Sequence, residues 1–161
     1  MNGYIQLISL EQLPSTIDFV FESILKSGTS QTYMRDPIQG KQFFKEMTLE
    51  SVQDNELVLY GYFKGNILLG VIGIENANYI TFLYVKEEAQ KTGIGTSLLQ
   101  YVEQLCLSQN EQQLVASVHK NAILFYQKFG FVFDDNPNNQ QESYRMHCDC
   151  KRKEVSHGIS K

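Results

Sequence analysis

Tyr79 to Leu99, YITFLYVKEEAQKTGIGTSLL, is the stretch from which the fold can be read. Tyr79 to Val85 is an apolar, aromatic and β-branched run of the kind that forms a buried strand. A polar connector, Lys86 to Gln90, leads into Gln90-Lys91-Thr92-Gly93-Ile94-Gly95. From there Ile94, Leu98, Val102 and Leu105 recur on one face of a helix. Strand, glycine loop and helix in this order gather unpaired backbone N–H groups at a helix start, where phosphate oxygens are favoured. Two familiar phosphate loops are excluded. A dinucleotide fingerprint needs a third glycine where Leu98 stands, and a P-loop needs a lysine where Thr96-Ser97 follow Gly95.

A second segment, Val118 to Phe133, reads VHKNAILFYQKFGFVF. The pattern Gln-x-x-Gly-x-Gly after a strand ending Leu-Tyr-Val resembles the pyrophosphate loop of the GNAT superfamily of acyl-coenzyme A-dependent N-acetyltransferases. Ala122, Phe125, Tyr126, Lys128, Gly130 and Phe131 resemble the other recurrent segment of that family, in the family's order. The two segments cover roughly the C-terminal half of the chain.

The totals agree with one soluble domain. The 161 residues are 42% hydrophobic and 20% charged, enough for a core without disulfides or metal. No apolar run reaches membrane-span length and no leader pattern opens the chain, so a cytoplasmic protein is expected. Cys106, Cys148 and Cys150, an odd and scattered set, suit a reducing compartment. The net charge of −4 disfavours nucleic acid as a partner and is compatible with a cationic amine. His147-Cys148-Asp149-Cys150 lacks a second ligand pair, so no metal site is expected.

Along the chain, Tyr4–Leu10 reads as a strand and Leu13–Gly28 as an amphipathic helix. Residues 28–40 read as a polar loop and about 41–52 as a second helix. A hairpin, Glu56–Lys64 with Ile67–Glu75, precedes the central strand. After the long helix come a strand at Leu114–Val118, a short helix at Asn121–Phe129, and strands at Phe131–Asp134 and Glu142–Cys148. The expected fold is one α/β domain over residues 1–150, a mixed, mostly antiparallel sheet of about six or seven strands splayed at its centre, with about four helices. Residues 151–161 read as a disordered tail.

The resemblance implies the function and the site. Acetyl-coenzyme A would be the co-substrate and the acceptor a small amine or a peptide or protein amine, with no membrane partner; homodimers are common in the family. The pantetheine would pair with Leu83, Tyr84 and Val85, opposite Leu114 to Ser117. The pyrophosphate would take amides of Lys91, Thr92, Gly93, Ile94, Gly95 and Thr96, beside Gln90. Tyr126 would protonate the departing thiolate, its alternative being to pack beside Phe125 and Phe129. The central strand has no carboxylate, which leaves Glu75 nearest as the base, with His119 and a water relay as competitors. His119 stands where relatives carry an Asn that contacts the coenzyme. Asn121 competes for that contact, or caps the short helix. Tyr33, Phe43 and Phe44 are candidates for the acceptor pocket, or core residues. The rival function is a coenzyme A-binding sensor without catalysis.

Overall fold

The computed structural model describes residues 2–28, 30–138 and 140–152. Strand β1 (Tyr4–Leu7) leads to helix α1 (Leu13–Ser27), then α2 (Gln31–Arg35) and α3 (Pro37–Gln53). Strands β2 (Leu57–Lys64), β3 (Ile67–Glu75) and β4 (Tyr79–Val85) follow as an antiparallel meander. Helix α4 (Ile94–Ser108), β5 (Gln113–His119), α5 (Ile123–Phe129), β6 (Val132–Phe133) and β7 (Ser143–Asp149) complete the chain. The seven strands lie in the order β1-β2-β3-β4-β5-β7-β6, and β4 with β5 is the parallel pair. This is the mixed, mostly antiparallel architecture expected from the sequence.

Strand β3 lies beside the central strand β4 and is apolar on both faces. Ile72 and Ile74 face a core built with Leu98, Leu99 and Val102 of α4. Val71, just before Ile72 and so on the opposite face in the alternation, packs on Val20 and Ile24 of α1. The sheet is thus sandwiched, with α4 and α5 on one side and α1 and α3 on the other.

Residues 28–40 differ from the expected loop. Ser30 caps α2, its side chain accepting from the Tyr33 amide, and Asp36 caps α3 by accepting from the Gln39 amide at 3.2 Å. Pro37 does force Asp36 out of helical geometry (φ −138°), but it also opens α3 as its first residue. The helix therefore starts four residues before the apolar pattern shows it. β1 is shorter than expected, ending at Leu7. Lys151, assigned to a tail by the sequence, is tied to α4: its amide donates to Glu103 Oε2 at 3.0 Å and its carbonyl accepts from Gln104. Arg152 is exposed, and residues 153–161 lie outside the described residues.

The thiols are held neutral. Cys106 is 1% exposed and its Sγ donates to the Ala77 carbonyl. Burial, with Glu111 and Glu103 nearby, pushes its pKa up to about 11, and burial pushes Cys150 up to about 12. At pH 8 a thiol of pKa about 11 is roughly 0.1% thiolate. Iodoacetamide is therefore expected to modify Cys106 and Cys150 of the native protein at least about 100-fold more slowly than the urea-unfolded chain, read by mass spectrometry over time. Among the described residues no helix is long and apolar enough to cross a membrane.

Candidate active site

The site follows from a mismatch in strand partners. β4 and β5 pair only at Tyr79 with Val115 and Ile80 with Ala116. Beyond these rows each strand keeps its outer neighbour: β4 stays on β3 up to Val85 opposite Gly70, and β5 stays on β7 up to His119 opposite Ser143. The two strands consequently part. The parting coincides with a bulge, because Gly73 opposes Phe82 and Ile74 opposes Ile80, leaving Thr81 without a register partner. A cleft of about 1100 Å³ occupies the gap. Its walls are residues 80 to 85 on one side and Ser117, Val118 and His119 on the other. The opposite wall thus begins at Ser117, and not at Leu114 as expected, since Val115 and Ala116 are consumed by pairing.

The cleft is lined from both faces of the sheet. Leu83 belongs with the α4-side core, whereas Phe82 and Tyr84 pack on the α1 side. On the α4 side the lining includes Ala122, Phe125 and Tyr126, and on the α1 side Phe19, Glu22, Ser23 and Lys26.

The glycine loop frames one end. Lys91 and Gly93 adopt left-handed φ values of 63° and 92°. Gly93 caps α4, whose first internal bond is the Ser97 amide to the Gly93 carbonyl at 2.9 Å. The amides of Ile94, Gly95 and Thr96 precede that bond and lie at the positive end of a four-turn helix beside the cleft. Gln90, Lys91, Gly93, Ile94, Gly95 and Thr96 all line it. Thr92 does not; its hydroxyl donates to the Ala89 carbonyl at 2.5 Å and tightens the turn. Gln90 donates from Nε2 to the Val85 carbonyl at 3.0 Å, stapling the loop to the end of β4. A Cβ on Gly95 would stand 2.9 Å from Phe125 Cζ, so α5 packs directly against this loop. These donors, the open strand edge and the size of the gap fit a diphosphate followed by an extended arm.

Tyr126 is 7% exposed and lines the cleft. Its ring stands edge-on to Phe125 and Phe131, with centroids at 5.4 and 5.1 Å. It thus packs, as the alternative reading expected, and borders the gap as well. Burial, and secondarily Tyr84, pushes the phenol above its ordinary range, so the hydroxyl stays protonated. His119 reverses another expectation. Its Nδ1 accepts the Asn121 amide at 3.2 Å, so His119, and not Asn121, caps the turn Lys120–Ala122. That bond leaves Nε2 to carry the proton of the neutral ring. Asn121 also lines the cleft.

Several expected residues lie elsewhere. Tyr33 and Phe44 form an aromatic cluster with Phe21, centroids 5.4 to 5.9 Å apart, and Phe43 is 55% exposed. These three are not on the lining; on that side of the sheet the cleft is lined by α1 itself. Phe19, Glu22, Ser23 and Lys26 escaped notice because a polar stripe beside a buried helix face looks like ordinary solvent surface. Glu75 is also off the lining, and its Oε1 accepts from the Thr81 hydroxyl at 2.7 Å. His147 pairs with Asp134 at 2.6 Å, and among the described residues no cluster suited to a metal ion is present.

The sequence pattern of the acetyltransferase (GNAT) domain matches residues 27–147. The chain belongs to that family. The GNAT fold recurs in PaiA N-acetyltransferase from Thermoplasma acidophilum, solved in complex with coenzyme A, at TM-score 0.76 and 24% identity over 92% of this chain and 99% of that one. Ard1 from Thermoplasma volcanium gives TM-score 0.69 and 19% identity, covering 94% and 100% of the two chains. A human relative, cysteine-rich protein 2-binding protein, is 39% identical over 60 residues, which are 37% of this GNAT chain and only 8% of that protein.

Proposed function

We propose that the protein transfers an acetyl group from acetyl-coenzyme A directly to a primary amine. The observation that carries this reading is the cleft through the sheet, which joins a helix start on the α4 side to an open, polar wall on the α1 side. Two substrates entering from opposite faces meet between β4 and β5. Alignment then supplies much of the acceleration, because a bimolecular attack becomes a local one.

Residues 91 to 96 would hold the diphosphate, mainly through the amides of Ile94, Gly95 and Thr96. The cleft-lining part of β4 from Leu83 to Val85 would pair with the amide-bearing arm. An amide near Leu83 or Tyr84 would polarise the thioester carbonyl. The coenzyme supplies an activated acyl carbon and a thiol leaving group. Tyr126, kept neutral by burial, would donate the proton that the departing sulfur needs. His119 and Asn121 would flank the arm from the β5 side. PaiA, with coenzyme A bound on the same fold, supports this placement.

The acceptor would be small or an extended side chain, entering past Phe19, Ser23 and Glu22. The deciding experiment measures release of free thiol from acetyl-coenzyme A against a panel of diamines, polyamines, amino acids and lysine peptides. Release well above the hydrolysis background on at least one amine is expected. Tight binding of acetyl-coenzyme A with no release on any amine would make the protein a sensor of the coenzyme instead.

A further inference from the structure

We infer that Thr81 and Glu75 act together as the proton path for the attacking amine, Thr81 meeting the amine in the cleft and Glu75 accepting the proton from behind it. This rests on the transferase reading above. An amine arrives as an ammonium at neutral pH and must lose a proton before it attacks. β4 carries no carboxylate to take it. The bulge supplies a substitute. It leaves Thr81 outside the register where β4 and β5 part, and Thr81 is exposed and lines the cleft.

The Thr81 hydroxyl already donates to Glu75 Oε1 at 2.7 Å. A hydroxyl has one proton and two lone pairs, so one committed to Glu75 turns its acceptor side away from that carboxylate. As the amine passes its proton to Thr81 Oγ, the original hydroxyl proton moves to Glu75, and threonine ends neutral. Glu75 is half-buried at the end of β3 and returns the proton to water. The nitrogen then bonds to the acyl carbon as the C–S bond breaks, and its second proton leaves by the same path. Tyr126 gives the sulfur its proton and recovers one from solvent. The sum is amide, free thiol and one released proton. Tyr79 lies opposite Glu75 in the register, and the cleft lining adds titratable groups from α1 (Glu22, Lys26), from β4 and the loop after it (Tyr84, Lys86, Glu87, Glu88, Lys91), from β5 (His119) and from α5 (Tyr126).

The test compares Thr81→Val, Thr81→Ser and Glu75→Gln in thiol release from pH 7 to pH 10, with acetyl-coenzyme A affinity as the folding control. Thr81→Val and Glu75→Gln are each expected to lower kcat/KM by about 100-fold at pH 7, the scale of general-base catalysis. The double variant should fall no further, because the two groups serve one path. Thr81→Ser, which keeps the hydroxyl, should stay within a few-fold of wild type. The losses should shrink to less than about tenfold near pH 10, where roughly a quarter of a free amine of pKa about 10.4 arrives already deprotonated. A packing defect would cost the same at every pH. Glu75→Gln with the wild-type profile overturns the relay even if Thr81→Val fails to fold, as does an active Thr81→Val. If the wild type itself releases no thiol, the transferase reading falls and the relay with it.

Discussion

Gly93→Val combined with Gly95→Val is expected to raise the Kd for coenzyme A by at least about 100-fold while the domain stays folded. The two sites fail for different reasons. Gly93 caps α4 at φ 92° and a Cβ there meets nothing within 4 Å. Its cost is therefore conformational, about 1–3 kcal/mol for a side chain held in a sparsely allowed region. The chain can escape by turning the 92–94 peptides, which re-aims the amides at the start of α4 away from the cleft. At Gly95 the cost is steric, since the new Cβ would sit 2.9 Å from the Phe125 ring. That ring stands on α5 against Tyr126, so making room for the new side chain disturbs the packing beside the cleft. Gly95→Ala should accordingly recover affinity when Phe125→Leu makes room, and Gly93→Ala should not. Calorimetry on these variants checks this. Normal coenzyme binding by the double valine variant would mean that the loop is not the diphosphate site.

Much of this site was legible because its residues answer to local constraints. A strand, two glycines and a helix period are written within Tyr79 to Leu99, and β4, the loop and α4 fall where that pattern puts them. Gly28 ends α1 in a left-handed cap for the same reason. The splay itself is not a property of any one segment. It arises because β4 and β5 each keep an outer partner, and the pairing that fixes where they part, Ile80 with Ala116, joins residues far apart in sequence. The wall from Ser117, in place of Leu114, follows from that register alone.

Non-local packing explains the other departures. Nothing in the pattern of residues 28–40 separates a loop from one short helix and the first turn of a long one, because Ser30 and Asp36 act as caps only once the chain has turned over α1. Tyr33 and Phe44 have the residue types of a pocket wall, yet Phe21 of α1 draws both into an aromatic cluster. Thr81 reads as one polar residue in a buried strand. Only the bulge, which requires the register against β3, places its hydroxyl between the cleft and Glu75. His119 likewise takes the capping role that helix-start statistics assign to Asn121.

Tyr126→Phe is the second substitution with a large expected effect, and here binding and turnover should separate. The ring that stands against Phe125 and Phe131 is retained, so packing at this buried position changes little. What is lost is one hydroxyl on the cleft, whose work begins only as the C–S bond breaks. The turnover number should drop by about 100-fold, within the usual range for removing a general acid. The affinity for acetyl-coenzyme A should stay within about threefold, the pattern of a group that acts in the transition state alone. An acyl donor with a more acidic thiol should narrow the gap, because such a sulfur departs without help. The wild-type protein should show no decline from Tyr126 ionisation up to about pH 10, the ordinary phenol pKa, since burial holds this one higher. The same shift has a thermodynamic sign. The folded pKa lies above the unfolded one, so above about pH 10 the unfolded chain loses this proton first and stability falls as pH rises further. Tyr126→Phe removes that part of the alkaline destabilisation. Unchanged turnover in the variant, with only the alkaline stability altered, would leave Tyr126 a packing residue and assign the proton on sulfur to solvent.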